Sequence, residues 1–347
     1  MTIALSWNPN ALADLQECLD LMTADGTVPG GVITHGALDA APSFLTSGIV
    51  APECGQAPPG PDTLYDVASL TKILATWPLI GASAPDLIDL DAPIRSYLPE
   101  LPDDAPGGAV TVRQILGHTS GLMASTRLDQ YRGAGPDLAA LICGEPLTSE
   151  PGAGHRYINR GFILLGLVLT RVHGRRLDEL ATDLWQRLGM TATVYGPVQR
   201  SGAVAPTEQR LPGAPRLWGL PHDDNAALLG GVAGHAGAFS SPADLAAFAS
   251  TLLCEHAKGE GLGPWLAASM EPQAAIEPGL DRGLAWILAD RAKVAYHHGF
   301  TGTSLYLAPH TGRYLAICTN AVYHHQDNRT RLAPLRALAV KAITDEP

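Results

Sequence analysis

With 46% hydrophobic residues over 347 positions, and 37 glycines and 28 prolines spread along the chain, the composition is that of a packed globular protein and excludes long disorder. A net charge of −11 with scattered basic residues excludes nucleic acid or an anionic membrane as the main partner. Five cysteines without a Cys-x-x-Cys pair read as free thiols. No stretch reaches membrane-spanning length, and the segment Met1 to Pro9 lacks a basic, apolar export signal, so a cytoplasmic protein is expected.

Asn8-Pro9 opens a helical pattern that puts Leu12, Leu15, Leu19 and Met22 on one face. Short strands are expected at 31–35 and 43–50, followed by a Pro/Gly-rich loop from Pro52 to Pro61. The run Asp66 to Trp77 reads as one buried helix. From Gly81 to Pro221 short helices alternate with Pro/Gly connections, the clearest helices covering 110–116 and 159–172. Ser241-Pro242-Ala243-Asp244 has the form of a capped helix start. Strands return at 284–289, 303–308 and 314–319, the last two joined by a hairpin connection over 309–313, and a closing helix spans 331–343.

This order predicts an α/β (α+β) fold: an antiparallel sheet flanked by helices and built from both chain ends, with an inserted all-helical subdomain. The expected division is 1–80 with 241–347 for the sheet, 81–240 for the insertion, and a cleft between them.

The chemistry starts at Ser69-Leu70-Thr71-Lys72. A serine and a lysine three apart on a helix share a face. In the first turn, unpaired N–H groups and the helix dipole favour developing negative charge. The spacing alone has low specificity. Three further segments raise it: Tyr157-Ile158-Asn159 after a Pro/Gly turn, His297-His298-Gly299-Phe300-Thr301-Gly302-Thr303 running into a strand, and the glycine-rich turn Gly230 to Gly237 around His235. With Leu116-Gly117-His118-Thr119-Ser120-Gly121-Leu122, their order resembles the penicillin-binding-protein-like serine hydrolases, the superfamily of class C β-lactamases, D,D-peptidases and related esterases. The resemblance runs from about Pro29 to Ile317.

The resemblance implies a nucleophile at Ser69, an adjacent amine at Lys72 and a catalytic phenol at Tyr157. It implies substrate contacts from Asn159, His297 and Gly299, and an oxyanion site made by the amides of Ser69 and Phe300. Lysine and tyrosine titrate freely at about 10, and a positive Lys72 beside Tyr157 favours its phenolate, bringing an effective base closer to neutral pH. The expected reaction is acyl transfer through Ser69, most simply an esterase or amidase acting on small ester, amide or peptide substrates. A D-amino-acid-specific peptidase, a weak β-lactamase and an acyltransferase with a dedicated acceptor are the alternatives. Where relatives carry a permanent lysine cation for a substrate carboxylate, this chain has His297, which shifts the expectation towards less acidic substrates unless Arg282 or another arginine supplies the charge.

His118 and His235 read as structural. His324-His325 has no His-Glu-x-x-His and no matching acids or thiols, so no metal is expected, and no cofactor either, because the glycine-rich turns lack nucleotide fingerprints. The pattern gives no oligomeric state.

Overall fold

The structure, a computed structural model, describes residues 7–345 apart from 39, 85, 125–127 and 132–137. In chain order, helix α1 (Pro9–Ala24) leads into strands β1 (Gly30–Ala37) and β2 (Ser43–Gly48), and β3 (Tyr65–Asp66) precedes α2 (Trp77–Ser83). The middle of the chain holds α3 (Val112–Leu116), α4 (Leu138–Gly144), α5 (Arg160–His173), α6 (Leu177–Arg187), β4 (Val194–Tyr195), α7 (Asp224–Leu228) and β5 (Ala238–Ser240). The last third holds α8 (Pro242–Lys258), α9 (Gly263–Ser269), β6 (Ala274–Glu277), β7 (Leu280–Arg282), β8 (Ile287–Ala289), β9 (Val294–His298), β10 (Ser304–Ala308), β11 (Arg313–Thr319) and α10 (Ala333–Thr344).

Eight strands form one antiparallel sheet in the order β2-β1-β11-β10-β9-β8-β7-β6. Both chain ends meet inside it, one strand in from the β2 edge, where Ile33 of β1 lies opposite Ile317 of β11. The side chains of β11 alternate: Tyr314, Ala316 and Cys318 enter the larger core, and Leu315 and Ile317 enter a second core under α1 and α10. Because helices cover both faces, β11 is an unbroken buried run. The 81–240 stretch, expected to be all-helical, holds α3 to α7 among long irregular connections and contributes β4 and β5, which join β3 in a second, three-stranded sheet.

Local signals fix the helix starts. Asn8 accepts a hydrogen bond from the Asn10 amide ahead of Pro9, and Ser241 accepts from Asp244 ahead of Pro242. The expected strand over 284–289 shrinks to β8, because Ala285 sits in the left-handed region at φ +70°.

The helix expected over 66–77 is the main departure. Tyr65–Asp66 is a strand, Ala68–Leu70 a 3₁₀ turn, and Lys72–Thr76 a π-helical turn that precedes α2. Pro78 carries no N–H and so cannot donate to Leu74, one turn back. The Trp185 indole N–H of α6 donates to the Leu74 carbonyl instead, at 2.8 Å. The Trp77 amide reaches back five residues to the Lys72 carbonyl, and the widened turn carries Lys72 at its start.

Candidate active site

Ser69 lies on the 3₁₀ turn, directly after Ala68, whose φ of +46° is a strained value for a residue with a Cβ. Lys72 is completely buried. Its ammonium group donates to Ser69 Oγ at 3.1 Å, to Asn159 Oδ1 at 2.9 Å and to the His235 carbonyl at 3.1 Å. Three acceptors use the three protons of an ammonium group and point it at the serine. Asn159 stands at the N-terminus of α5 without capping it by its side chain, because its oxygen is on Lys72.

The His235 carbonyl is held by its own residue. The His235 side chain, fully buried, lies 2.8 Å from the Asp223 carboxylate. Burial favours the neutral carboxyl of Asp223, but the His235 charge and hydrogen bond outweigh it and hold Asp223 below the usual carboxylate range. Gly234 permits this turn to approach α5: an added Cβ would lie 2.1 Å from the Phe162 carbonyl.

Tyr157 is about one-third exposed, at 38%, and its ring centroid lies 5.0 Å from Lys72 Nζ. Its segment is clamped by His118. The Arg156 amide donates to the His118 carbonyl at 2.8 Å, the Ile158 amide donates to His118 Nδ1 at 3.1 Å, and the two rings are tilted together at 4.6 Å. On the sheet side, His297 of β9 lies 6.1 Å from the Tyr157 ring. The His297 Nδ1–H donates to the His298 carbonyl, so Nε2 is an acceptor, buried and unpartnered among the described residues. Burial first, then Lys72 and Arg282, depress the His297 pKa well below its ordinary value. Gly299 and Phe300 follow at the strand end, and Phe300 and Ser69 line both cavities that flank the serine.

The structure thus brings Ser69, Lys72, Tyr157, Asn159 and His297 into one cleft from three separate stretches of chain. It also places Arg282, the arginine named as a possible cation, at the site and adds residues that sequence reasoning did not single out. The larger cavity, about 810 Å³, is lined beside Ser69 by Glu208, His222, Asp223, Asp224 and Asp327. Glu208 is internally paired. Burial would raise its carboxyl, yet His222, Gln326 and Arg210 beside it hold it at about 2. The smaller cavity, about 350 Å³, holds Arg282, Arg329 and Arg336 with Ser69, Tyr157 and Phe300.

Among the described residues, none of these three arginines has a carboxylate partner. Arg282 donates to His155 and to the Ala285 carbonyl, Arg336 donates to Ser304 Oγ and the Gly299 carbonyl, and Arg329 stacks over Phe300 at 4.3 Å. Burial brings Arg282 down to about 10, and burial followed by Arg336 and Arg282 brings His298 down to about 3. Arg329 and Arg336 belong to the C-terminal stretch, whose spacing reads only as a helix, so no local motif marks them. Among the described residues no group of three or more His, Cys, Asp or Glu side chains could hold a metal, and no helix is long and apolar enough to cross a membrane.

The sequence model described as Beta-lactamase matches residues 21–340. A curated relative, a putative D-alanyl-D-alanine carboxypeptidase of Escherichia coli (strain K12), is 32% identical over 222 residues, covering 55% of this chain and 51% of the relative. The chain therefore spans about half the length of the curated relatives it matches. The octameric penicillin-binding protein homologue from Pyrococcus abyssi superposes with a TM-score of 0.74 at 19% identity, over 94% of this chain and 77% of that one. The D-amino acid amidase from Ochrobactrum anthropi SV3 superposes at 0.72 and 21% identity, over 96% and 98% of the two chains. These two likenesses establish a shared fold. With the family match extending over most of its length, the chain belongs to the beta-lactamase family.

Proposed function

We propose that the chain is a serine hydrolase that forms a covalent acyl-enzyme on Ser69, acting as an esterase or amidase on small substrates that carry a carboxylate. The observation that carries the reading is the hydrogen bond from the buried Lys72 ammonium to Ser69 Oγ, with Asn159 and the His235 carbonyl fixing the amine in place. Ser69 Oγ attacks the substrate carbonyl carbon while its proton passes to the Tyr157 phenolate that the Lys72 ammonium favours. The carbonyl oxygen becomes an oxyanion facing the amides of Ser69 and Phe300. The bond to the leaving group then breaks, Tyr157 protonates that group, and water attacks the acyl ester to free Ser69.

The three arginines carry the substrate preference. Arg282 is buried and Arg336 half-buried without a counter-charge, which is costly unless an anion completes them, and the exposed Arg329 lines the same cavity. A carboxylate in the 350 Å³ cavity meets guanidinium groups that match its geometry. The neutral His297 alone pointed away from acidic substrates; Arg282, Arg329 and Arg336 point back towards them. The same cavity, together with the name of the curated relatives, favours one specific second reading: hydrolysis of a peptide ending in a D-amino acid with a free carboxylate.

Intact-mass spectrometry with a fluorophosphonate and a penicillin, followed by peptide mapping, tests the nucleophile. One adduct on the Ser69 peptide is expected, absent in folded Ser69→Ala protein. A label elsewhere, or undiminished ester hydrolysis by that variant, removes the reading. Rates on paired aryl esters with and without a distal carboxylate, beside a D-alanyl-D-alanine peptide, separate the two substrate classes.

A further inference from the structure

Asp66 is an ionisable residue at 2% exposure, three residues ahead of Ser69. No lysine, arginine or histidine side-chain nitrogen is recorded within ion-pair distance of its carboxylate among the described residues. The neighbouring His222 ring faces Glu208, at 3.2 Å. The carboxylate is occupied by main-chain donors: Oδ1 accepts from the Ala68 amide at 2.8 Å and Oδ2 from the His222 amide at 2.6 Å. A buried carboxylate without a cation is a costly choice for a residue that only has to fill space. Its two donors show what it does locally.

The first donor belongs to Ala68, held in the left-handed region immediately before Ser69. A side chain that anchors this amide keeps the turn from relaxing and fixes where the Ser69 amide points. The second connection runs through the Asp66 main chain. Thr301 Oγ1 donates to the Asp66 carbonyl at 2.6 Å, and Thr303 Oγ1 donates to the Val67 carbonyl at 3.1 Å. Thr301 directly follows Phe300. The strand end is pressed against the turn, since a Cβ added to Gly299 would lie 2.5 Å from the Val67 carbonyl and 2.1 Å from Thr303 Oγ1. The Ser69 turn and the Phe300 turn are thus joined by a clasp with Asp66 at its centre.

We propose that Asp66 is a positioning residue that sets the spacing of the Ser69 and Phe300 amides, its carboxylate holding one side and its carbonyl, through Thr301, the other. The proposal rests on the acyl-enzyme reading, because it concerns where an oxyanion would be received. Donors fixed in advance at that point act only in the transition state, and small displacements are expensive there. The contribution therefore belongs in kcat and in the acylation rate, with KM left alone.

The test compares wild type with Asp66→Asn and Thr301→Val. Asp66→Asn keeps the shape but presents an N–H to one of two amides that need an acceptor; Thr301→Val removes the hydroxyl of the other arm. Each protein is checked for cooperative thermal unfolding, then for fluorophosphonate labelling rate at Ser69 and for kcat and KM on one aryl ester. In Asp66→Asn both rates are expected to fall about ten- to hundredfold with KM within about twofold, and in Thr301→Val about three- to tenfold. Wild-type labelling rates in folded Asp66→Asn, or an effect confined to KM, overturn the proposal. If Asp66→Asn does not fold, Thr301→Val decides: an unchanged labelling rate overturns it. A wild-type label on another residue overturns the Ser69 reading and this proposal with it, whereas a Ser69 label indifferent to both variants overturns this proposal alone.

Discussion

The two walls of the cleft treat positive charge in opposite ways. On the helical wall Lys72 gives its three protons to Ser69, Asn159 and the His235 carbonyl, all supplied by the protein itself. On the sheet wall Arg282, Arg329 and Arg336 line a cavity with only neutral partners among the described residues. A cation satisfied internally is fixed in direction and suited to handling a proton. Cations left with spare donors next to open space hold a site for a ligand's charge. The same protein builds both within reach of one hydroxyl.

Removing the charge from each wall separates these roles. Lys72→Met is expected to lower kcat on every substrate by about a thousandfold or more, as losses within a nucleophile–base unit do. Wild-type steady-state rates in folded Lys72→Met on both acidic and neutral esters would show that the amine is not part of the reaction. Arg336→Met is expected to raise KM for a carboxylate-bearing ester by about 10- to 100-fold, the size of a lost hydrogen bond to a charged group, and to leave its uncharged counterpart unchanged. Equal losses on both esters would erase the distinction between the walls.

The smallest effect is in stability. The folded His298 titrates at about 3 against an ordinary 6.5, chiefly through burial and then Arg336. The unfolded chain therefore takes a proton that the folded chain refuses. Stability from this residue is complete above about 6.5 and is lost as pH falls towards 3. Between pH 7 and pH 5, wild type is expected to lose about 1–2 kcal/mol relative to His298→Gln. Urea unfolding at the two pH values reads this directly, and a constant gap between the proteins would mean that the arginine wall does not bear on His298.

The sequence was legible where a feature is local. The contact between Ser69 and Lys72 follows from their spacing, and β10 and β11 announce themselves as apolar runs because helices cover the sheet on both sides. The hairpin strands β6 and β7, four and three residues long and only partly buried, leave almost no periodic pattern. The polar pair His297-His298 hides β9 in the same way. The 66–77 helix breaks into the end of a strand, a 3₁₀ turn and a π-helical turn, and the Trp185 indole that takes the Leu74 carbonyl there is a contact no local window contains. Of the arginine wall only Arg282 is named from the sequence; that Arg336 of α10 joins it depends on strand order and helix packing, which no local pattern carries.

The pairing of β1 with β11 also governs how the chain has to be made. On a ribosome, Ile33 emerges long before Ile317, its partner across the β1–β11 pairing. Until then β1 exposes a strand edge and an apolar face that the completed protein covers, and closing so long a loop is slow. Synthesis of this protein therefore includes an interval in which chaperones have a clear target, and pausing late in translation should cost more soluble product than pausing early.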